Sequence, residues 1–310
     1  MKHSFSKTTL DIESVNEQVV QEPTRLVKAS EFNYTRQLDA IADQVVADKK
    51  ASILLLAGPS ASSKTTTAMK LQERLVARNM HAVVISLDDF YVNRADLPIL
   101  PDGKIDYETI HTLDLGKIEE CLGELIEKKE CEFPLFDFGT GLRQKETKHV
   151  SIGESSILII EGLHALNPLI TKKYDDNYFM KIYISPYSNY YMDGESVLRA
   201  REVRLIRRII RDYFHRSSTL EKTLDMWENV IVAEIDNVLP FREDADYIID
   251  STIVYEPCIY AKYLIPLIEK SEIAERHIEK VEHIKDVMEH FVSLDISYVP
   301  ADTVLKEFLD

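Results

Sequence analysis

A stretch of strand length, Ser52-Ile-Leu-Leu-Leu-Ala57, runs straight into Gly58-Pro-Ser-Ala-Ser-Ser-Lys64-Thr65-Thr66-Thr67, and apolar residues at helical spacing (Ala68, Leu71, Leu75, Val76) follow at once. An apolar run, a small-residue loop closing in Lys-Thr and a helix make up the strand–loop–helix unit of a phosphate-binding P-loop. In such a unit, backbone N–H groups of Gly58, Ser60, Ala61, Ser62, Ser63 and Thr66 are placed to cradle phosphates. Lys64 reaches the β- and γ-phosphates, and the Thr65 hydroxyl holds Mg²⁺. The helix N-terminus adds a positive dipole end. The usual pattern, G-x-x-x-x-G-K-[ST], has a second Gly where this chain has Ser63. Ser resists the φ values that Gly accepts, so nucleotide affinity depends on how Ser63 is accommodated. The alternative is a serine-rich turn with Lys64 merely solvated. The order of the four parts favours phosphate.

The rest of the chain must supply positive charge to match, because the net charge of its 310 residues is −16. That balance argues against generic binding to nucleic acid or to an anionic membrane. The three cysteines, Cys121, Cys131 and Cys258, show neither metal spacing nor a disulfide framework, and fit a reduced, cytoplasmic compartment as core residues. No apolar run approaches membrane-span length, and no signal peptide is expected at the start.

Taken in order, residues 1–30 are polar and mixed, and suggest an arm or a small accessory element. Residues 31–50 carry Tyr34, Leu38, Ile41, Ala42 and Val45 at helical spacing. After the P-loop helix, His81–Leu87 is a short apolar run suited to a buried parallel strand. It ends in Asp88-Asp89-Phe90-Tyr91. Ligands of open α/β sheets sit outside the carboxyl ends of the strands, so a carboxylate here faces the same crevice as the P-loop. A helix N-cap is the competing role for either aspartate. Residues 94–111 have loop composition, and residues 112–129 read as a helix. Phe133-Pro-Leu-Phe136-Asp137-Phe138-Gly-Thr-Gly141, with Arg143 beyond, reads as a β-ribbon. Its aromatics either fill the core or wall a substrate pocket. Ile157–Ile160 is another buried strand, ending in Glu161, the placement of a carboxylate that positions Mg²⁺ directly or through water. Further strands are expected at 179–185 and 246–250, and helices at 219–239, with Trp227 in the core, and 258–268. The seam of the 271–293 helix packs on the domain or on a second subunit, the latter giving a homo-oligomer, and a short helix follows Pro300.

The missing positive charge lies between Val197 and Arg216. Arg204, Arg207, Arg208 and Arg211 recur at i, i+3, i+4 and i+7 and share one helical face. Arginine forks match phosphate oxygens, so this face suits a lid that clamps a transferred phosphoryl group. A solvated basic face, neutralising the protein's own acid, is the other option.

These motifs together resemble the uridine kinase and phosphoribulokinase family of P-loop kinases, over roughly residues 50–270. The resemblance rests on Gly58–Thr66, Asp88-Asp-Phe-Tyr91, Phe133-Pro-Leu-Phe-Asp-Phe138, Glu161-Gly-Leu-His164 and Arg204-Leu-Ile-Arg-Arg-Ile-Ile-Arg-Asp212, and is nearest to bacterial uridine kinase-like nucleoside kinases. It implies a three-layer α/β/α fold with a parallel sheet, an Arg-rich lid helix and a small β-ribbon for substrate. The expected division is an N-terminal arm and helix (1–46), a kinase domain (47–270) and a C-terminal helical extension (271–310). It implies ATP- or GTP-dependent, Mg²⁺-assisted transfer to the primary hydroxyl of a small molecule. By the same resemblance Asp88 takes the proton of the attacking hydroxyl, and Lys64 and Arg207 act in the transfer. Thr65 and Glu161 hold the metal, and Arg207, Arg208 and Arg211 lie near the phosphates. Tyr91, Phe136, Asp137, Arg143, His164 and Arg204, together with Asp88, contact the acceptor. Where uridine kinases use Tyr and His to read the pyrimidine, this chain has Phe136 and Gly141, so a changed base preference is expected. The remaining possibilities are a kinase for another small alcohol, such as a sugar phosphate or a pantothenate-like acid, and a nucleotide-binding regulatory protein.

Overall fold

In the computed structural model, which describes residues 9–48, 51–99, 103 and 106–309, the run Ile53–Ala57 is the central strand of a parallel sheet. The strands are β1 (Thr9–Asp11), β2 (Ile53–Ala57), β3 (His81–Ser86), β4 (Glu130–Asp137), β5 (Leu142–Ser151), β6 (Ser156–Glu161), β7 (Phe179–Ser185), β8 (Asn189–Met192), β9 (Glu195–Leu198) and β10 (Tyr247–Asp250). The helices are α1 (Ile12–Gln21), α2 (Pro23–Ala47), α3 (Lys64–Val76), α4 (Leu115–Lys128), α5 (Pro168–Thr171), α6 (Ala200–Arg216), α7 (Leu220–Asn237), α8 (Glu256–Lys270), α9 (Glu275–Glu289) and α10 (Lys306–Leu309).

The main sheet has the order β10-β7-β2-β6-β3, and every pairing in it is parallel. Such a sheet needs helices on both faces, which is why its strands read as unbroken apolar runs. Alternate residues of β2 serve two cores. Leu54 and Leu56 pack with the α2, α3, α6 and α8 side, while Ile53, Leu55 and Ala57 pack with the α4 and ribbon side. The ribbon is the antiparallel pair β4–β5, with a register irregularity between Pro134 and Phe136. Trp227 and the three cysteines are buried, and the thiols are free. No helix among the described residues is long and apolar enough to cross a membrane.

Residues 9–30, expected as an arm or accessory element, form β1, α1 and the start of α2; residues 1–8, residues 49–50 of the expected helix, and residues 100–102 and 104–105 of the expected loop lie outside the described residues. β1 pairs with β8 in a second sheet with β9 that the sequence pattern did not announce. The expected segments are joined by side-chain and backbone bonds. Gln37 of α2 bonds the backbone of Asp250 in both directions, at 2.8 and 3.1 Å. Leu294 N donates to Cys258 O of α8 at 3.1 Å.

The P-loop is pressed against its own sheet. A Cβ on Gly58 would lie 2.2 Å from the backbone oxygen of Ile184 on β7. Backbone does not yield as a side chain does, so Gly58→Ala is expected to cost about 3 kcal/mol. A denaturation midpoint equal to that of the wild type would show that β7 can move aside.

Candidate functional site

The P-loop takes its shape from two left-handed residues, Ala61 at φ 59° and Ser63 at φ 70°. For a residue with a Cβ, this backbone costs roughly 1–2 kcal/mol. Ser63 is held there by what it bonds. Its carbonyl accepts from Thr67 N at 3.0 Å and from Thr67 Oγ1 at 2.6 Å. Thr67 Oγ1 is in turn 2.7 Å from the buried Tyr34 hydroxyl of α2. In this structure the Lys64 ammonium donates to Pro59 O at 3.1 Å.

Sheet register brings the acidic strand ends beside the loop. Glu161 at the end of β6 stands opposite Leu56 of β2 on one side and Ser86 of β3 on the other. Asp88 follows two residues after Ser86, in a short turn of 3-10 helix, its N–H bonded to Ser86 Oγ at 3.3 Å. Thr65 Oγ1 donates to Glu161 Oε1 at 3.0 Å. A hydroxyl and a buried carboxylate at this separation form a hard-oxygen pair suited to Mg²⁺. Burial, with the Asp88 charge adding to it, pushes the Glu161 carboxyl up to about 6. Asp88 opens to the cleft, yet the surrounding protein removes enough water to hold its carboxyl above the usual range, against the pull of Lys64. Lys64 is lowered by the same loss of water and supported by Glu161 and Asp88.

Between the β3 end and the ribbon, Tyr91, Phe136 and Phe138 form an aromatic cluster with ring centroids 5.0 to 5.9 Å apart. Phe136 N donates to Asp89 Oδ1 at 3.3 Å, which ties the ribbon to the β3 end. Asp137, expected at the acceptor, makes its bonds within the ribbon turn in this structure. Its carboxylate accepts from Gly139 N (2.8 Å) and Thr140 Oγ1 (2.9 Å) and so builds the ribbon turn. Arg143 donates to Asp114 Oδ2 at 2.9 Å and to Tyr91 O at 3.4 Å, bracing the ribbon on α4. His164 is buried against the backbone of Glu108 and Thr109, with neither ring nitrogen in a well-formed hydrogen bond, and burial lowers it to about 4.

The arginine face divides in two. Arg204 and Arg207 are 2% and 0% exposed, and neither is a free clamp here. Arg204 pairs with Glu234 and donates to Ser60 O at 3.3 Å. Arg207 pairs with Glu256 at 2.6 and 2.9 Å and donates to Ala61 O at 3.3 Å. They hold the P-loop from behind by its carbonyls, and α6 is a buried helix of the fold along much of its length. The i, i+3 spacing shows a shared face but not the carboxylates across from it. Arg208 donates to Ser60 Oγ at 2.9 Å, and Arg211 shares Asp212 with Arg208 and Arg216. Sequence reasoning passed over Glu234, Glu256 and Glu307. The only signal for them was the need of buried arginines for counter-charges.

A parallel sheet carrying a strand–loop–helix phosphate cradle, with acidic residues at the neighbouring strand ends, defines a P-loop kinase fold. Residues 53–255 match the family model described as "Phosphoribulokinase / Uridine kinase family". The chain belongs to that family. It is 25% identical over 199 residues to a uridine kinase of Ureaplasma parvum serovar 3, covering 64% of this chain and 87% of the relative. It is 27% identical over 204 residues to a uridine kinase of Lactobacillus helveticus, covering 65% and 87%. It is 28% identical over 204 residues to uridine-cytidine kinase B of Dictyostelium discoideum, covering 65% and 75%.

Two outcomes are expected. If Glu161 serves a bound Mg²⁺, its carboxyl at about 6 makes Mg²⁺ affinity fall as pH drops through that value, because the protonated acid cannot serve the cation. Glu161→Gln, uncharged throughout, removes this dependence; a wild-type Mg²⁺ titration that is flat from pH 5 to 7.5 would take Glu161 out of the metal site. Ser63→Gly relieves the left-handed strain and loses only a 3.5 Å contact from Arg207. A stability gain of up to about 1 kcal/mol in denaturant is expected, and a loss would mean the hydroxyl itself holds the loop.

Proposed function

We propose that this kinase transfers the γ-phosphoryl of ATP or GTP to the primary hydroxyl of a small molecule, foremost a nucleoside 5′-OH. The observation that carries this is the convergence of Lys64, Thr65, Asp88 and Glu161 at adjacent strand ends. Asp88 takes the proton of the acceptor hydroxyl as its oxygen attacks phosphorus and the bond to the nucleoside diphosphate breaks. A carboxyl held above the usual range is a better base near neutrality. Lys64 meets the charge spread over the phosphoryl oxygens, as do Arg208 and Arg211 from α6. Mg²⁺, when held by Thr65 and Glu161, neutralises phosphate oxygens. Arg204 and Arg207 fix the loop's shape.

The acceptor enters between Asp88 and the ribbon, where Tyr91, Phe136 and Phe138 offer ring faces. Phe136 and Gly141 offer no side-chain hydrogen bond where uridine kinases use Tyr and His, so a broader or shifted base preference follows. The same aromatic wall favours a second reading, phosphorylation of another small alcohol with an apolar part.

Nucleosides and sugar alcohols incubated with ATP and Mg²⁺ separate these readings, and an absence of turnover with every acceptor would leave a nucleotide-binding regulator. Asp88→Asn is expected to lower kcat by a factor of about 10²–10⁴ with ATP affinity retained. Turnover within a few fold of the wild type would remove Asp88 from its role.

A further inference from the structure

Residues 300–309 fold back more than 230 positions along the chain onto the first turns of α3. Val304, Leu305 and Phe308 are each 0% exposed. Asp302 pairs with Lys70 of α3 at 3.2 Å. Thr303 Oγ1 and the Tyr255 hydroxyl both donate to Glu31 Oε1 of α2 at 2.6 Å. A segment with this much buried apolar surface is part of the fold, not a loosely laid tail.

One of its side chains bonds the start of α3, and another lies against an arginine that bonds the P-loop. Glu307 Oε2 accepts from Thr66 Oγ1 at 2.6 Å, on the residue that follows Thr65. The first-turn N–H groups of such a helix point at bound phosphate, so a side chain that fixes Thr66 fixes their aim. The Phe308 ring lies 5.3 Å from the Arg207 guanidinium, which donates to Ala61 O at the loop's left-handed turn. The ring limits where that guanidinium can sit.

We propose that residues 300–309 are a built-in part of the donor-phosphate site, with Glu307 positioning the first turn of α3 and Phe308 positioning Arg207. This rests on the loop's taking a nucleoside triphosphate. Glu307 also lies in the field of Lys64 and Arg216, and its charge opposes theirs.

The test uses the full chain and three variants, with Mg·ATP binding followed by calorimetry, and kcat and both KM values by steady-state kinetics with whichever acceptor the panel identifies. Glu307→Ala removes the acceptor of the Thr66 bond and is expected to weaken Mg·ATP binding about five- to tenfold. Glu307→Gln keeps an oxygen that accepts this bond and stays within about twofold of the wild type. Phe308→Leu keeps an apolar side chain but loses the ring face, and weakens binding about threefold. For all three, kcat and the acceptor KM stay within about twofold, a split that general loosening of the fold would not produce. The proposal is overturned by unchanged donor affinity in Glu307→Ala and Phe308→Leu, or by parallel losses in kcat, both KM values and melting temperature. Tighter ATP binding in both Glu307 variants also overturns it, since Glu307 would then compete with phosphate. A wild-type protein that binds no nucleotide defeats the reading of the loop itself, which is a distinguishable result.

Discussion

The pair formed by Arg207 and Glu256, both without exposed surface, is the junction on which the site depends. Burying two charges costs several kcal/mol per ion unless each is closely bonded, and here each is. Arg207 also donates to Ser251 O at 2.7 Å, and Glu256 accepts from Ile253 N at 3.2 Å. One guanidinium thus ties α6, the end of β10, the start of α8 and the P-loop into one body. An apolar pair of equal volume would fill the space but could not reach the loop's carbonyls. The bonds that offset the cost of burial also hold the loop's backbone in its left-handed turns.

Charge placement follows from this arrangement. An acidic protein that binds a triphosphate must expose cations only where the phosphates come, and hide or neutralise them elsewhere. Glu234 and Glu256 quench the two arginines behind the loop, while Asp212 is shared among the three toward the far end of α6. Lys64 lies in the field of three carboxylates, Glu161, Asp88 and Glu307. Water excluded from this cleft raises the acids and lowers the lysine, which brings the proton affinities of opposite partners closer together.

Much of this was legible in the sequence, because local patterns carry it. The buried strands announced themselves as apolar runs, and Gly58 to Thr67 as the turn between strand and helix. The acidic residues at two strand ends pointed to one crevice, since parallel strands present their carboxyl ends together. What stayed hidden was long-range. The i, i+3, i+4 spacing of the arginines was correct, but their exposure depended on Glu234 and Glu256, which no local pattern marks. Asp137 was given a place at the acceptor by the family resemblance alone, and the bonds it accepts from Gly139 and Thr140 within the ribbon turn are ones the resemblance did not announce. Ser63 looked like a flaw in the motif, and the backbone keeps the glycine-type conformation regardless.

The pairing of β1 with β8 joins Leu10 to Tyr190 in parallel register. During synthesis the first strand therefore leaves the ribosome without its partner, and must wait for some 180 further residues before its edge is covered. Brevity protects it meanwhile, since three residues with only Leu10 buried offer little to a passing chain. Closure of the N-terminal end thus waits on β8, and a nascent chain stalled before that point would carry the Gly58–Thr67 loop without the α6 arginines that hold its turns.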